Sequence, residues 1–472
     1  MMTISTLEQT FWQHYQRFSA TPLITEQPHP DTLNLSELSN TDPKAAISCL
    51  QQADSVALQK LATTPPKPPT CDRIFILGCG ASGRMAVWLE NLWRRVHLEQ
   101  PNKIVGVIAG GDYALIRSIE QFEDQVAFAA QQLKHYGFGA NDLLIATTAS
   151  GESPFVLAAV EHALHVSTVK PWLVYCNPTE TLCQRTPQHI VQDTRIHPIE
   201  LNVGPMALTG STRMQATTAM QLWLGWALFP DSHDTWQAAC DWYQHADLSG
   251  LTTTIKQEAD YLQSTATPKI TYQSSANIGL TVMADMTERT PTFNIPNWYD
   301  FALTGQTNNY AAWQALLQRN PICLQWPDIS QTHPDALYAF NINASPDPTP
   351  TWTFIEQDHA VHWHWNDCLL WSLKMPPIHP LYRETWLKCC LNIHSTVVMG
   401  QCGLFEGNIM THLQPTNHKL IDRTVRYLHA CHPERSYEDI ATAIFALLPT
   451  LKSNQSIVQL YKRGLYDQKC RS

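Results

Sequence analysis

The chain has 472 residues, with 31 Lys and Arg against 41 Asp and Glu and a formal net charge of −10. Its 44 % hydrophobic and 15 % charged residues exclude a disordered or supercharged chain, and the acidic balance argues against non-specific nucleic-acid binding, which needs a Lys/Arg surplus. No uninterrupted apolar run reaches the roughly 18 residues of a membrane span, and Met1 to Ser5 leads into Glu8, Gln9, His14 and Gln16 rather than a signal segment, so a cytoplasmic protein is expected.

Residues 1–69 read as a helical segment ending in the proline cluster Thr63-Thr64-Pro65-Pro66-Lys67-Pro68-Pro69, a stiff boundary. Strands and helices then alternate. Arg73 to Leu77 is a buried-strand run, followed by a Gly-rich turn and a helix from Ser82 to Val96. Lys103 to Ala109 predicts a second strand, with helix from Asp112 to Tyr136. Asp142 to Thr148 is a third strand, Ser153 to His165 a helix, and Pro171 to Cys176 a fourth strand. Short links in such an alternation predict an α/β fold, a parallel sheet wrapped on both faces with ligands at the strand C-terminal ends. Lys269 to Tyr272 opens the second half as a strand, and Ile278 to Met286 follows as a helix. The strand–turn–helix order of 73–96 thus recurs at 269–287, a weak duplication. A Pro-rich stretch spans Ala344 to Pro350, and from Leu381 the pattern is helical, interrupted near Gly400 to Gly407.

The 13 cysteines are odd in number and include no C-x-x-C. Several lie in apolar runs, as reduced core thiols do, and the vicinal Cys389-Cys390 reads as helix interior. His362 and His364 alternate onto one strand face without a matching carboxylate or histidine, so no metal is predicted. No cofactor is predicted either.

Three loops carry the chemistry. Gly78-Cys79-Gly80-Ala81-Ser82-Gly83 fits the dinucleotide fingerprint G-x-G-x-x-G between strand and helix. The acid that such a site requires at the end of the second strand comes late, as Asp112 after Gly110-Gly111. The competing reading is a phosphate cradle of Ser82 and helix-start N–H groups. Ser150-Gly151-Glu152-Ser153 after the third strand and Gly210-Ser211-Thr212-Arg213 favour the cradle for a phosphomonoester on a small ligand. Ordinary N-capping by Ser and Thr is the third reading.

These loops, with Ala109-Gly110-Gly111-Asp112-Tyr113-Ala114 and Gly204-Pro205, resemble the sugar-isomerase (SIS) domain. More narrowly they resemble the N-acetylmuramic acid 6-phosphate etherases and the glucokinase regulatory protein. The resemblance continues through Asn392-Ile393-His394-Ser395-Thr396 and Gly407-Asn408-Ile409-Met410 to Thr416-Asn417-His418-Lys419-Leu420. It implies two flavodoxin-like SIS domains packed as an intramolecular pseudo-dimer, domain 1 over 70–248 and a divergent domain 2 over 249–410, with a C-terminal helical segment over 411–472.

The etherases use two glutamates. The match to one is Glu123, in Glu120-Gln121-Phe122-Glu123-Asp124. The proton donor's position in the first half is Leu92, with Glu90 on another helix face, so the donor is missing there. In the second half, Asp285-Met286-Thr287-Glu288-Arg289-Thr290-Pro291-Thr292-Phe293 matches the donor's stretch and puts Glu288 in its place, whereas Asn309 to Asn320 holds no carboxylate. The resemblance therefore implies one composite site with both glutamates and a second with neither. It implies Gly80, Ser82, Gly83, Ser150, Gly151, Ser153, Ser211, Thr212, Arg213 and Lys419 as residues binding a sugar 6-phosphate. Met206 and Gln215 depart from the family's Glu and Lys. The expected activity is a carbon–oxygen lyase of the etherase type. The alternatives are a non-catalytic phosphosugar sensor with a protein partner and, third, a phosphosugar isomerase. The Trp-rich region from Trp352 to Trp371 offers a partner surface if exposed, or the core of domain 2 if buried.

Overall fold

The computed structural model describes residues 4–15, 18, 21–61, 67–186, 188–296, 298–306, 308–324, 342, 349–452 and 455–469. Most of the first proline cluster (residues 63–66) and of the Pro-rich stretch (residues 344–348) lies outside these.

Helices α1 (Ile4–Gln13), α2 (Leu35–Thr41) and α3 (Pro43–Gln59) precede the first sheet. Its strands are β1 (Ile74–Gly78), β2 (Ile104–Ile108), β3 (Leu143–Thr148), β4 (Trp172–Tyr175) and β5 (His197–Glu200). They lie in the order β2-β1-β3-β4-β5, all parallel, the order whose switch point falls between β1 and β3. Helices α4 (Gly80–Val96), α5 (Val126–His135), α6 (Pro154–Val166) and α7 (Thr179–Arg185) make the crossovers. Because helices cover both faces, every residue of β1 and β3 is buried, and their sequences read as continuous apolar runs. Short β5, with Pro198 and half-exposed flanks, lacks such a run and escaped prediction.

Helices α8 (Gln215–Leu228), α9 (Trp236–His245) and α10 (Leu251–Ser264) lead to the second sheet. It comprises β6 (Ile270–Ser274), β7 (Tyr299–Leu303), β8 (Thr351–Gln357), β9 (Ala360–Trp365) and β10 (Cys368–Lys374), in the order β10-β9-β8-β6-β7. β6 pairs parallel with β7 and β8, repeating the first sheet's centre, but β8, β9 and β10 form antiparallel hairpins. Trp352, Trp363 and Trp365 from these hairpins fill the core. Between β6 and β7 runs α11 (Ala276–Phe293), longer than predicted because it continues through Pro291. Helix α12 (Asn309–Leu317) follows β7.

The long helix α13 (Pro380–Gln401) is buried along nearly its whole length, Cys389 and Cys390 included, and packs against α8, α10 and α11. Last come α14 (His418–Cys431), α15 (Tyr437–Leu447) and α16 (Ile457–Lys469). One apolar cluster runs continuously through both sheets. A separate one joins Leu7, Phe11 and Phe18 to Ile421, Val425, Ile440 and Ile444, so the N-terminal helix belongs with the C-terminal helices. No described helix is long and apolar enough to cross a membrane.

The segment predicted as one helix from Asp112 to Tyr136 is instead two 3-10 turns, Asp112–Leu115 and Glu120–Asp124, before α5. Gly110 and Gly111 enter it at φ 93° and 76°, and Ile119 and Phe122 turn inward onto the core.

Candidate active site

β1, β2 and β3 end together, and their loops floor a cleft of about 1030 Å³ including its open mouth. Gly80, Ser82, Ser150, Ser153, Ser211, Thr212 and Arg213 line it from the first unit, together with Glu123. Glu288 enters from α11 of the second unit and Lys419 from α14. One cavity thus gathers the two glutamates and most of the predicted ligand residues.

Two predicted residues do not reach the cleft. A Cβ on Gly83 would lie 2.5 Å from Gly78 O and 2.7 Å from Ile108 Cγ1, so this glycine lets α4 sit close on β1 and β2. Gly151 has φ 80°, and a Cβ there would meet Leu182 at 2.6 Å; it shapes the turn between Ser150 and Ser153. Arg213 lines the cleft, but its guanidinium ends point elsewhere. Nη1 donates to Asp285 Oδ1 at 2.9 Å and Ser395 Oγ at 3.0 Å, and Nη2 to Thr396 Oγ1 at 2.8 Å. Expected among the residues binding a sugar 6-phosphate, Arg213 lines the cleft while its two terminal nitrogens fasten the loop before α8 to α11 and α13. Burial lowers its pKa, which Asp285 and Glu288 oppose.

The alternatives left by the sequence separate here. Ser153, the N-cap residue of α6, makes no side-chain capping hydrogen bond, and α4 and α8 are capped at Cys79 and Met214, which carry no hydroxyl. Asp112, the acid the sequence offers after the second strand, is fully buried and binds Arg319 Nη1 at 2.6 Å and the Ile322 N–H at 2.6 Å. Ser211 Oγ, of a residue lining the cleft, is buried and has no hydrogen-bond partner among the described residues. Ser150 Oγ lies 3.1 Å from Thr148 Oγ1 and accepts from the Glu152 N–H at 3.1 Å.

The two glutamates sit in unlike surroundings. Glu123 Oε2 accepts from Lys419 Nζ at 2.6 Å. Glu288 is buried, with Arg84 Nη1 3.8 Å from its Oε1. Burial pushes its carboxyl pKa up, against the pull of Arg84, Lys388 and Arg213, and Asp285 adds to the rise. Lys388, half-buried, donates to Arg213 O at 2.7 Å, Thr218 Oγ1 at 2.8 Å and Asn392 Oδ1 at 3.1 Å. One glutamate is thus paired with a lysine at the cleft, and burial favours the protonated form of the other.

Leu92, at the other pseudo-symmetric position, is buried in the core. Near it Arg319 from the end of α12 binds both oxygens of Glu90 at 3.0 Å and both oxygens of Asp112. Sequence reasoning missed Arg84, Glu26 and Arg423, all of which line the cleft. Arg423 follows Lys419 by one helical turn and binds Glu26 through two bonds of 2.7 and 2.8 Å; the i, i+4 spacing was the available signal. Of the two family departures, Met206 is fully buried, and Gln215 Nε2 donates to Asp54 Oδ1 at 2.7 Å, outside the cleft. His362 bonds Ser372 across the hairpin at 2.7 Å.

Residues 56–164 match the glucokinase regulatory protein N-terminal SIS domain. The N-acetylmuramic acid 6-phosphate etherase of Klebsiella aerogenes is 31 % identical over 213 residues, which are 42 % of this chain and 66 % of its own. That of Aliivibrio fischeri (strain MJ11) is 31 % identical over 216 residues, 44 % of this chain and 68 % of its own. The matches therefore span about two thirds of these relatives. The tagatose-6-phosphate ketose/aldose isomerase of Escherichia coli aligns over 88 % of this chain and 97 % of its own at 11 % identity, with a TM-score of 0.38. The chain belongs to the SIS-domain family, in the group of the N-acetylmuramic acid 6-phosphate etherases.

Proposed function

We propose that the chain binds a sugar 6-phosphate in this cleft and cleaves it as a carbon–oxygen lyase of the etherase type. The observation that carries the reading is that Glu123 and Glu288, from different units, line one cleft floored by the hydroxyl-bearing loops at the starts of α4 and α6. Backbone N–H groups at those helix starts and the hydroxyls of Ser82, Ser150 and Ser153 suit a phosphate. In this reading Glu123 takes the C2 proton of the open-chain sugar and Glu288 protonates the departing lactyl ether oxygen. Water then adds to the unsaturated aldehyde. The raised Glu288 pKa suits a general acid, and the Lys419 partner suits a Glu123 that starts as carboxylate.

The test is lactate release from N-acetylmuramic acid 6-phosphate, with Glu288→Gln as control. Release that falls at least 100-fold in the variant supports the reading, on the scale of losing a general acid. Unchanged release in Glu288→Gln overturns the assignment of the donor. A second reading, a phosphosugar sensor, draws on the match of residues 56–164 to the regulatory protein and on the Lys419–Glu123 pair, which engages the base. Tight binding of a sugar 6-phosphate with no lactate release favours it.

A further inference from the structure

Arg84 follows the last glycine of the first loop and stands one turn into α4, where three segments meet. Its side chain is buried, 3 % exposed, and lines the cleft between Ser82 and Glu288. Nη1 faces Glu288 Oε1 of α11 at 3.8 Å, and Nη2 donates to Ala114 O at 2.8 Å. The next carbonyl, Leu115 O, accepts from Thr287 Oγ1 at 2.8 Å, so the residue before Glu288 grips the same turn. That turn opens the segment which reaches Glu123 through the second 3-10 turn. One guanidinium therefore touches the second unit's glutamate and the first unit's glutamate-bearing loop at once.

We propose that Arg84 is a positioning residue that fixes Glu288 against the Asp112–Leu115 turn and sets its charge state. The proposal rests on the lyase reading for its kinetic consequence and on geometry alone for its electrostatic one. The groups facing Glu288 are Arg84 from α4, Arg213 from the loop before α8, Lys388 from α13 and Asp285 of its own helix. Arg213 is tied to Asp285, and Lys388 donates to three other acceptors. Arg84 is the cation set 3.8 Å from the Glu288 carboxyl itself. At that separation in a desolvated site a unit charge is close enough to move a titration measurably. The distance is longer than a hydrogen bond, so the carboxyl keeps an oxygen to offer a ligand.

The test compares Arg84→Met, Arg84→Lys and Thr287→Val. The last loosens the same turn without altering charge. Infrared difference spectra, each background against its Glu288→Gln partner, follow the Glu288 carboxyl through pH. Lactate release gives the pH–rate profile. The expected result is titration at higher pH in Arg84→Met, recovery in Arg84→Lys, and no movement in Thr287→Val. The lactate rate is expected to fall at least tenfold in Arg84→Met with its basic limb shifted upward. A Glu288 titration unmoved in Arg84→Met, or moved equally in Thr287→Val, overturns the proposal. If Arg84→Met does not fold, Arg84→Gln takes its place. Absence of lactate release in the wild type overturns the lyase reading, and the infrared comparison still decides on Arg84.

Discussion

Lys419 Nζ lies 2.6 Å from Glu123 Oε2, joining the C-terminal helix α14 to the turn after β2. One helical turn on, Arg423 binds Glu26 of the N-terminal segment. The two pairs tie α14 to the turn after β2 and to the N-terminal segment at the lining of the cleft, so each of these two cations faces a carboxylate.

Lys419→Met is expected to weaken sugar-phosphate binding at least tenfold while leaving stability within about 1 kcal/mol. The lysine is 36 % exposed, and ion pairs with so much solvent contribute little to folding. Calorimetric titration and a denaturant midpoint on the same sample read the two effects separately. A stability loss as large as the binding loss is the contrary result.

Arg319→Met is expected to be severe for folding. It strips the cation from Asp112, whose side chain is fully buried, and leaves buried Glu90 with Arg94 alone, and breaking such a buried network costs about 3–5 kcal/mol. Lys256→Ala, which breaks an exposed i, i+4 pair with Asp260, should cost less than about 0.5 kcal/mol. Urea denaturation of the two variants gives the contrast.

Asp54 makes stability depend on pH. Burial pushes its carboxyl up to about 6, against Lys388, Tyr243 and Gln215. A raised folded pKa means that the native state keeps a proton the unfolded chain has lost. Its contribution is present below pH 4 or so and is lost as pH rises through about 6, a change on the order of 3 kcal/mol. Asp54→Asn should remove that slope. Denaturant midpoints of both proteins between those pH values check it, and parallel curves contradict it.

Gly83→Ala should destabilise by about 1–3 kcal/mol, because the added methyl meets backbone, Gly78 O at 2.5 Å, which has no rotamer to change. It should also weaken ligand binding, since α4 and its N-terminal loop must move off β1. Thermal melting and sugar-phosphate titration measure both.

Strands β1 to β4 and the turns after them were legible because their signals are local: apolar runs, glycine spacing and hydroxyls within a few residues. The same holds for β6, the first part of α11 and the Glu288 stretch. The hairpins β8 to β10 were less legible, since His362-Trp363-His364-Trp365 shows strand alternation but not its pairing partner. The turn around Glu123 was misread as helix because several of its residues are good helix formers, a local preference that tertiary context overrides.

By itself, then, the sequence determined a parallel α/β core with phosphate-type loops and a duplicated strand–turn–helix. Those features follow from periodicity and backbone conformation over short spans. Only the tertiary structure decided which cation meets which anion. Arg213 turned to Asp285, Arg319 closed on Glu90 and Asp112, and Arg423 met Glu26 across 397 positions of chain. An arginine's identity specifies that it will seek an anion; its partner is set by the packing of helices from both units, which no local pattern encodes.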